Sequence, residues 1–262
     1  MWTLRRKIGV AILAACAAVP LAASGGPGAT QGDLPSARSL VDKYIAAIGG
    51  AAAFDRVTSE HATGTVTYPS GGQKGTIELF AARPNKSLLL VDLEGFGKFQ
   101  TGYDGKVGWN IDAQSGPSLA TGQMLSEMAE GAVFDSPMRK PDQIKEMATV
   151  EKTIFEQRSA YKVRIIYPSG REEFSYFDAE SGLEIGHEGK RATPMGVLPS
   201  TELLRDYTQF GELKQPATIV TRLMVLEQVA HFTNFEYNSV PASTFDLPPA
   251  IKALIKPPSA AR

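Results

Sequence analysis

The stretch FQTGYDGKVGWNID, residues 99–112, decides the fold. It reads as two short strands joined at Asp104-Gly105, with Val107, Trp109 and Ile111 alternating against Lys106, Gly108 and Asn110. An Asp-Gly pair supplies the backbone geometry of a tight hairpin, and a period of two is the signature of a strand. Working outward, the same grammar repeats. Gly64–Tyr68 and Gly75–Arg83 flank Pro69-Ser70-Gly71-Gly72, Pro84-Asn85 leads into Ser87–Leu93, and Gly95-Phe96-Gly97 turns the chain again. Downstream, Ala160–Tyr167, Glu172–Phe177 and Leu183–Lys190 predict a meander, followed by strands near Leu198–Tyr207, Ala217–Leu226 and Gln228–Tyr237. The turn spacing predicts a mainly β chain of about ten or eleven antiparallel strands in one domain.

One segment breaks the pattern. Leu119–Phe134 carries Met124, Leu125 and Met128 on one helical face, with Gly122 and Gly131 beside them. A long antiparallel sheet must cover its concave face, and this helix is a natural cover. It reads either as a fixed plug or as a movable lid over a pocket, the latter because methionine adapts to varied apolar shapes. A second helix is predicted over residues 36–48. Ser36 offers the N-cap, Leu40, Val41, Tyr44, Ile45 and Ile48 follow at helical spacing, and Gly49-Gly50 ends it.

The start of the chain sets the compartment. Arg5, Arg6 and Lys7 precede an apolar run, Ile8–Ala23, that ends in small residues, which is an export signal in charge order and length. Pro20 and the Ser24–Gly28 stretch make it a poor membrane span. Two outcomes stay open: cleavage before Gly25, or lipidation of Cys16 in Leu13-Ala14-Ala15-Cys16. The expected organisation is a signal over 1–24 (or ending before Cys16), a linker over 25–34, a β domain over 35–249 and a tail over 250–262. Cys16 is the only cysteine, so the folded part has no disulfide and rests on its core. Without the three signal cations the chain is mildly acidic, and no basic strip appears, which argues against a nucleic-acid partner.

Catalytic signals are weak. His61, His187 and His231 are dispersed, with no close pair of metal ligands. Ser159-Ala160-Tyr161-Lys162 enters a predicted strand, and Glu172 and Glu173 alternate across another. No cofactor motif is present, and no metal or catalytic residue is assigned. An enzyme would require polar groups converging around His187 or His231.

Two local motifs carry a family resemblance. Phe80-Ala81-Ala82-Arg83-Pro84-Asn85-Lys86 resembles the strand–turn motif of the LolA and LolB lipoprotein-localisation factors, and Tyr103–Trp109 resembles their Asp-Gly-Lys…Trp hairpin. Phe245-Asp246-Leu247-Pro248 is similar to the ending of such domains. The resemblance implies a single, strongly curved, unclosed antiparallel β-barrel with an N-terminal helix and a helical lid or plug, holding acyl chains in an apolar cavity. It also implies that Arg83 reaches in and hydrogen-bonds the lid. Alternation independently puts Ile77, Leu79, Ala81 and Arg83 on one face; the alternative is an arginine at a strand end pointing into water.

The resulting expectation is an exported, non-enzymatic carrier of a hydrophobic ligand, a lipid or lipoprotein acyl chain, in the periplasm or anchored to the outer membrane through Cys16. Its ligand-binding candidates are Ile77, Leu79, Arg83, Phe99, Val107, Trp109, Ile111, Met124, Leu125, Met128, Val163 and Ile165. Each apolar member serves equally well as closed core. The alternative function is a module with a filled barrel that docks another envelope protein; an enzyme using the cavity comes third.

Overall fold

The computed structural model describes residues 34–135, 143–193 and 196–255. The export segment and Cys16 lie outside them. Among the described residues no helix is long and apolar enough to cross a membrane.

Among the described residues there are thirteen strands: β1 (Ser59–Tyr68), β2 (Gln73–Ala82), β3 (Lys86–Leu93), β4 (Gly97–Tyr103), β5 (Gly108–Asp112), β6 (Gly116–Leu119), β7 (Glu146–Phe155), β8 (Arg158–Ile166), β9 (Glu172–Asp178), β10 (Glu184–Thr193), β11 (Gly196–Phe210), β12 (Leu213–Leu223) and β13 (Leu226–Tyr237). They form one antiparallel sheet in the order β6-β5-β4-β3-β2-β1-β13-β12-β11-β10-β9-β8-β7. Every neighbouring pair is consecutive in the chain except β1 and β13. The sheet stays open at β6 and β7, the strands on either side of the inserted helix in sequence.

Those two edge strands were not expected. Leu119, assigned to the helical segment, instead ends β6 and sits opposite Trp109. Gly116-Pro117-Ser118-Leu119 has no alternation to read, and its proline is tolerated because β6 is an edge. In β7 the half-buried residues include Thr149, Glu151 and Thr153, so polar side chains occupy both faces and hide the period. A bulge between Thr149 and Glu151 breaks its register as well.

The chain packs as two compact units, whose described parts are residues 57–135 with 230–255, and residues 34–56, 143–193 and 196–229. In the first unit Asp104 Oδ1 accepts from the backbone N–H groups of Lys106 and Val107 at 2.8 and 2.7 Å, which fixes the predicted hairpin turn. A helix, here α3 (Gly122–Ala132), follows β6. The unit closes with a 3-10 turn (Ala242–Phe245) and a short helix α4 (Pro249–Lys252). Phe245 and Ile251 are buried in a core with Leu88 and Trp109, so the packed chain runs past residue 249.

In the second unit α1 (Ala37–Ala47) starts on Ser36, whose hydroxyl accepts from the Ser39 N–H at 3.1 Å. It buries Leu40, Val41 and Tyr44, and the Tyr44 ring meets Phe177 edge-on at 5.7 Å. A single further turn, α2 (Ala51–Asp55), buries Phe54 before β1. Burial of each such large apolar side chain is worth about 1.5–3 kcal/mol.

Candidate functional site

Register decides which residues of the first unit share a face. Ala62, Leu79 and Leu89 lie opposite one another on β1, β2 and β3, and the row continues through Thr101 to Asn110. One step along, Ile77, Val91 and Phe99 form a parallel row. Ile77 and Leu79 have 0% exposure and Phe99 is half-buried.

Helix α3 covers this same face. Asn110 Nδ2 lies 3.8 Å from Met124 Sδ. A side chain at Gly108 would come within 3.1 Å of both Leu125 Cδ1 and Met128 Sδ, so glycine there permits the helix to approach. Met124, Leu125 and Met128 are half-buried, with their apolar sides toward β5. The structure thus brings together Ile77, Leu79, Phe99 and the three helix residues on one helix-covered face.

Trp109 and Ile111 do not join them. Trp109 lies opposite Gly102, where a Cβ would meet the indole at 2.1 Å, so the ring spreads across β4 on the other face. There Trp109 packs with Leu88, Phe245 and Ile251, and Ile111 lies against them. Val107 precedes β5 and is half-buried in the turn. The expected inward set is therefore divided between two faces of one sheet.

Arg83 sits just beyond β2. Its Nε donates to the Val57 carbonyl at 2.8 Å, Nη1 pairs with the Asp135 carboxylate, and the guanidinium lies 5.2 Å from the Phe134 ring centre. Asp135 is three residues past the end of α3, and the adjacent Phe134 N–H donates to the Pro84 carbonyl at 2.9 Å. Thus Arg83 is engaged by the protein and does not simply point into water. It holds the carboxylate that follows the helix, an arrangement suited to a guanidinium that must not be desolvated alone.

Val163 and Ile165 belong to the second unit, both fully buried. Val163 starts a row that turns polar: Ser175, His187, Glu202 and Thr221 follow directly opposite one another on β9, β10, β11 and β12. All four are buried. Glu202 Oε1 pairs with Arg191, and its Oε2 lies 3.4 Å from His187 Nε2. Next to this row, Glu173 accepts from Arg171 at 3.0 Å. The sequence reading named His187 as a centre where polar groups would have to converge, and Glu173 as one of an alternating pair; it passed over Ser175, Glu202 and Thr221, because each looks like a surface residue on its own and only cross-strand register aligns them. Ser175 Oγ makes no hydrogen bond to His187.

The remaining histidines are separately engaged. His61 stacks on Phe80 at 4.1 Å and meets Glu78 at 3.1 Å, while His231 is exposed on β13. Among the described residues no group of three or more His, Cys, Asp or Glu is placed to hold a metal ion. On the opposite face of the second unit, burial and then the 2.6 Å hydrogen bond to Glu188 push the Tyr176 hydroxyl well above its ordinary pKa. Burial likewise raises Tyr68 to about 12.

No family model matches this sequence, and no curated protein matches it. Solved structures do. A DUF1329 family protein from Desulfovibrio piger superposes with a TM-score of 0.56 at 9% identity, covering 80% of this chain and 97% of that one. A LolA superfamily protein from Nitrosomonas europaea gives 0.54 at 11% identity, covering 82% and 99%. A protein domain from Vibrio parahaemolyticus described with outer membrane lipoprotein sorting gives 0.54 at 12%, covering 80% and 96%. An open antiparallel sheet with an inserted helix, matched over most of its length to these structures, defines the class: this chain has the LolA-like, unclosed β-barrel fold. Identities near one in ten establish that fold alone.

Proposed function

We propose that this protein is an exported cell-envelope binding protein that carries a hydrophobic ligand, a lipid or lipoprotein acyl chain, without catalysing a reaction on it. The observation that carries this reading is the helix-covered face of the first unit. Fully buried Ile77 and Leu79 continue into half-buried Phe99, under a helix that turns Met124, Leu125 and Met128 toward the sheet. An acyl chain gains about 0.8 kcal/mol per buried CH₂ wherever it is dry, so a carrier needs adaptable apolar walls and no reactive group. Methionine supplies the adaptability. The Arg83–Asp135 pair is placed to tie down the end of α3, and its release would free the helix from the face it covers.

The envelope location follows from the export signal, and lipidation of Cys16 would make the carrier an anchored acceptor. A second reading, docking of another envelope protein, has its own support. Edge strand β7 leaves Ile154 70% exposed beside exposed Val150, an open strand of the kind that accepts another chain by strand pairing.

Native mass spectrometry of the protein purified from a bacterial periplasm, followed by solvent extraction, tests the proposal. The expected result is added mass that extracts as lipid and that diminishes in Leu79→Asp. A bare mass that stays bare after incubation with phospholipid and acylated peptide rejects the carrier reading in favour of docking.

A further inference from the structure

We infer that Asn110 sets the ligand class of the helix-covered face: its side-chain amide donates to the carbonyl oxygen of an ester- or amide-linked acyl chain. The inference rests on the carrier reading and narrows it, from any hydrophobic chain to one that bears a carbonyl.

Polarity and exposure rise together along one row of this face. Ala62, Leu79, Leu89, Thr101, Asn110 and Ser118 stand directly opposite one another on the strands from β1 to β6. The first three are hydrocarbon and sealed, at 0%, 0% and 3% exposure. Thr101 and Asn110 are half-buried, and Ser118 is exposed on the open edge strand. The row thus has the layout of an amphiphile, with a dry end, hydrogen-bonding groups beyond it, and water past the edge. A chain lying with its tail inward brings its first polar group to Thr101 and Asn110, and its headgroup out over β6. That stretch can be reached, because Phe99, Asn110, Met124 and Leu125 all keep accessible surface.

Within the polar pair the geometry singles out Asn110. The Thr101 hydroxyl donates to Asn110 Oδ1 at 2.9 Å, which fixes the amide and turns Nδ2 toward α3. There Nδ2 meets Met124 Sδ at 3.8 Å. A thioether sulfur is a weak acceptor, and the amide nitrogen carries two hydrogens to give. The carbonyl oxygen of an ester or amide is the stronger acceptor, and takes the place of the sulfur as a ligand slides under the helix. An alkyl ether lacks that oxygen, and a plain hydrocarbon offers no acceptor. A free carboxylate would accept as well, but it would have to bring a charge out of water against Met124 and Leu125, which is costly. An uncharged carbonyl avoids that cost.

The carbonyl can belong to a lipid ester or to the acyl amide of a lipoprotein. Titrations of the full mature protein, read by native mass spectrometry, distinguish the sources. The probes are myristoyl lysophosphatidylcholine, its tetradecyl ether analogue and an N-myristoylated peptide, each below its micellar concentration. The ester should bind about fivefold more tightly than the ether, the factor expected for one neutral hydrogen bond exchanged with water. Asn110→Leu keeps the size and removes the donor, and should bring that ratio to one by weakening the ester. Met124→Leu removes the competing sulfur and should widen the ratio. A merely structural role for either residue would change ester and ether alike and leave the ratio where it was. Tighter binding of the peptide than of the ester assigns a lipoprotein, and the reverse assigns a free lipid. Equal binding of ester and ether, or a ratio that survives in Asn110→Leu, overturns the inference and leaves the carrier reading standing. Binding of none of the three probes overturns the carrier reading itself, and the inference with it.

Discussion

The two units use the same strand geometry and fill it differently. In the first, the helix-covered face is a run of Ile77, Leu79, Leu89 and Val91, all but sealed from water. In the second, the corresponding kind of row passes from Val163 into Ser175, His187, Glu202 and Thr221. Of the eleven buried polar or charged residues among those described, only Ser59 and Glu60 belong to the first unit. A sheet face needs only to exclude water and satisfy its polar atoms. One unit meets that condition with hydrocarbon, the other with ion pairs and hydroxyls. Stability in the first rests on packing, and in the second on pairing along this row added to the packing of Phe155, Tyr176, Ile185, Leu203 and Val220 on the opposite face.

The largest effects should expose that difference. Trp109→Ala removes an indole buried against Phe245 and Ile251 and should cost about 3–5 kcal/mol in chemical denaturation. Glu173→Ala should cost a similar amount for another reason, since it leaves the Arg171 guanidinium half-sealed without its carboxylate. The rescue separates them. Arg171→Met combined with Glu173→Leu should recover most of the loss, because an apolar pair of like volume replaces a buried ion pair at little cost. If the double variant remains as unstable as Glu173→Ala, pairing is not what holds the second unit, and the contrast fails.

A smaller effect sharpens the first unit's side of the comparison. Arg83 and Asp135 are partly exposed, at 27% and 12% for their side chains, so their coupling should fall at about 1–3 kcal/mol in a double-mutant cycle of Arg83→Ala and Asp135→Asn. Arg83→Lys should not restore it, because an ammonium cannot reach Val57, Asp135 and the Phe134 face together. The same variants should speed ligand exchange if the pair holds α3 down. Unchanged exchange rates with a full loss of coupling would make the pair a structural tie only.

How much of this was legible in the sequence follows from what alternation can and cannot report. The hairpin at Asp104-Gly105, helix α1 with its Ser36 cap, and the open antiparallel layout were readable because turns and periods are local. The face of Trp109 was not. Alternation groups Trp109 with Ile111, but only the pairing of Gly102 with Trp109 tells which side of the sheet they take, and a step of one residue flips the answer. Asp135 was missed as the partner of Arg83 because the expectation stopped at the helix, 52 residues away in sequence from the arginine. Polar residues at β9, β10, β11 and β12 read singly as surface. Nothing in one strand says that its neighbours answer with polar residues at the same height.

Glu172 and Glu173 bring that lesson to its smallest scale, and they give the smallest effect. Successive residues of β9 point to opposite faces. Glu173 is buried with Arg171, whereas Glu172 is exposed and accepts from Arg164, itself exposed and shared with Glu146. The hydrogen bond from Arg164 to Glu172 raises the pKa of the guanidinium, but that guanidinium is charged throughout the accessible pH range with or without it. Glu172→Ala should therefore change stability by no more than about 0.5 kcal/mol, and less at high salt, because screened surface pairs contribute little. Thermal denaturation at low and high ionic strength measures this directly. A loss for Glu172→Ala as large as that for Glu173→Ala would mean that Glu172 is as dry as Glu173, and the placement of its end of β9 in water would have to be withdrawn.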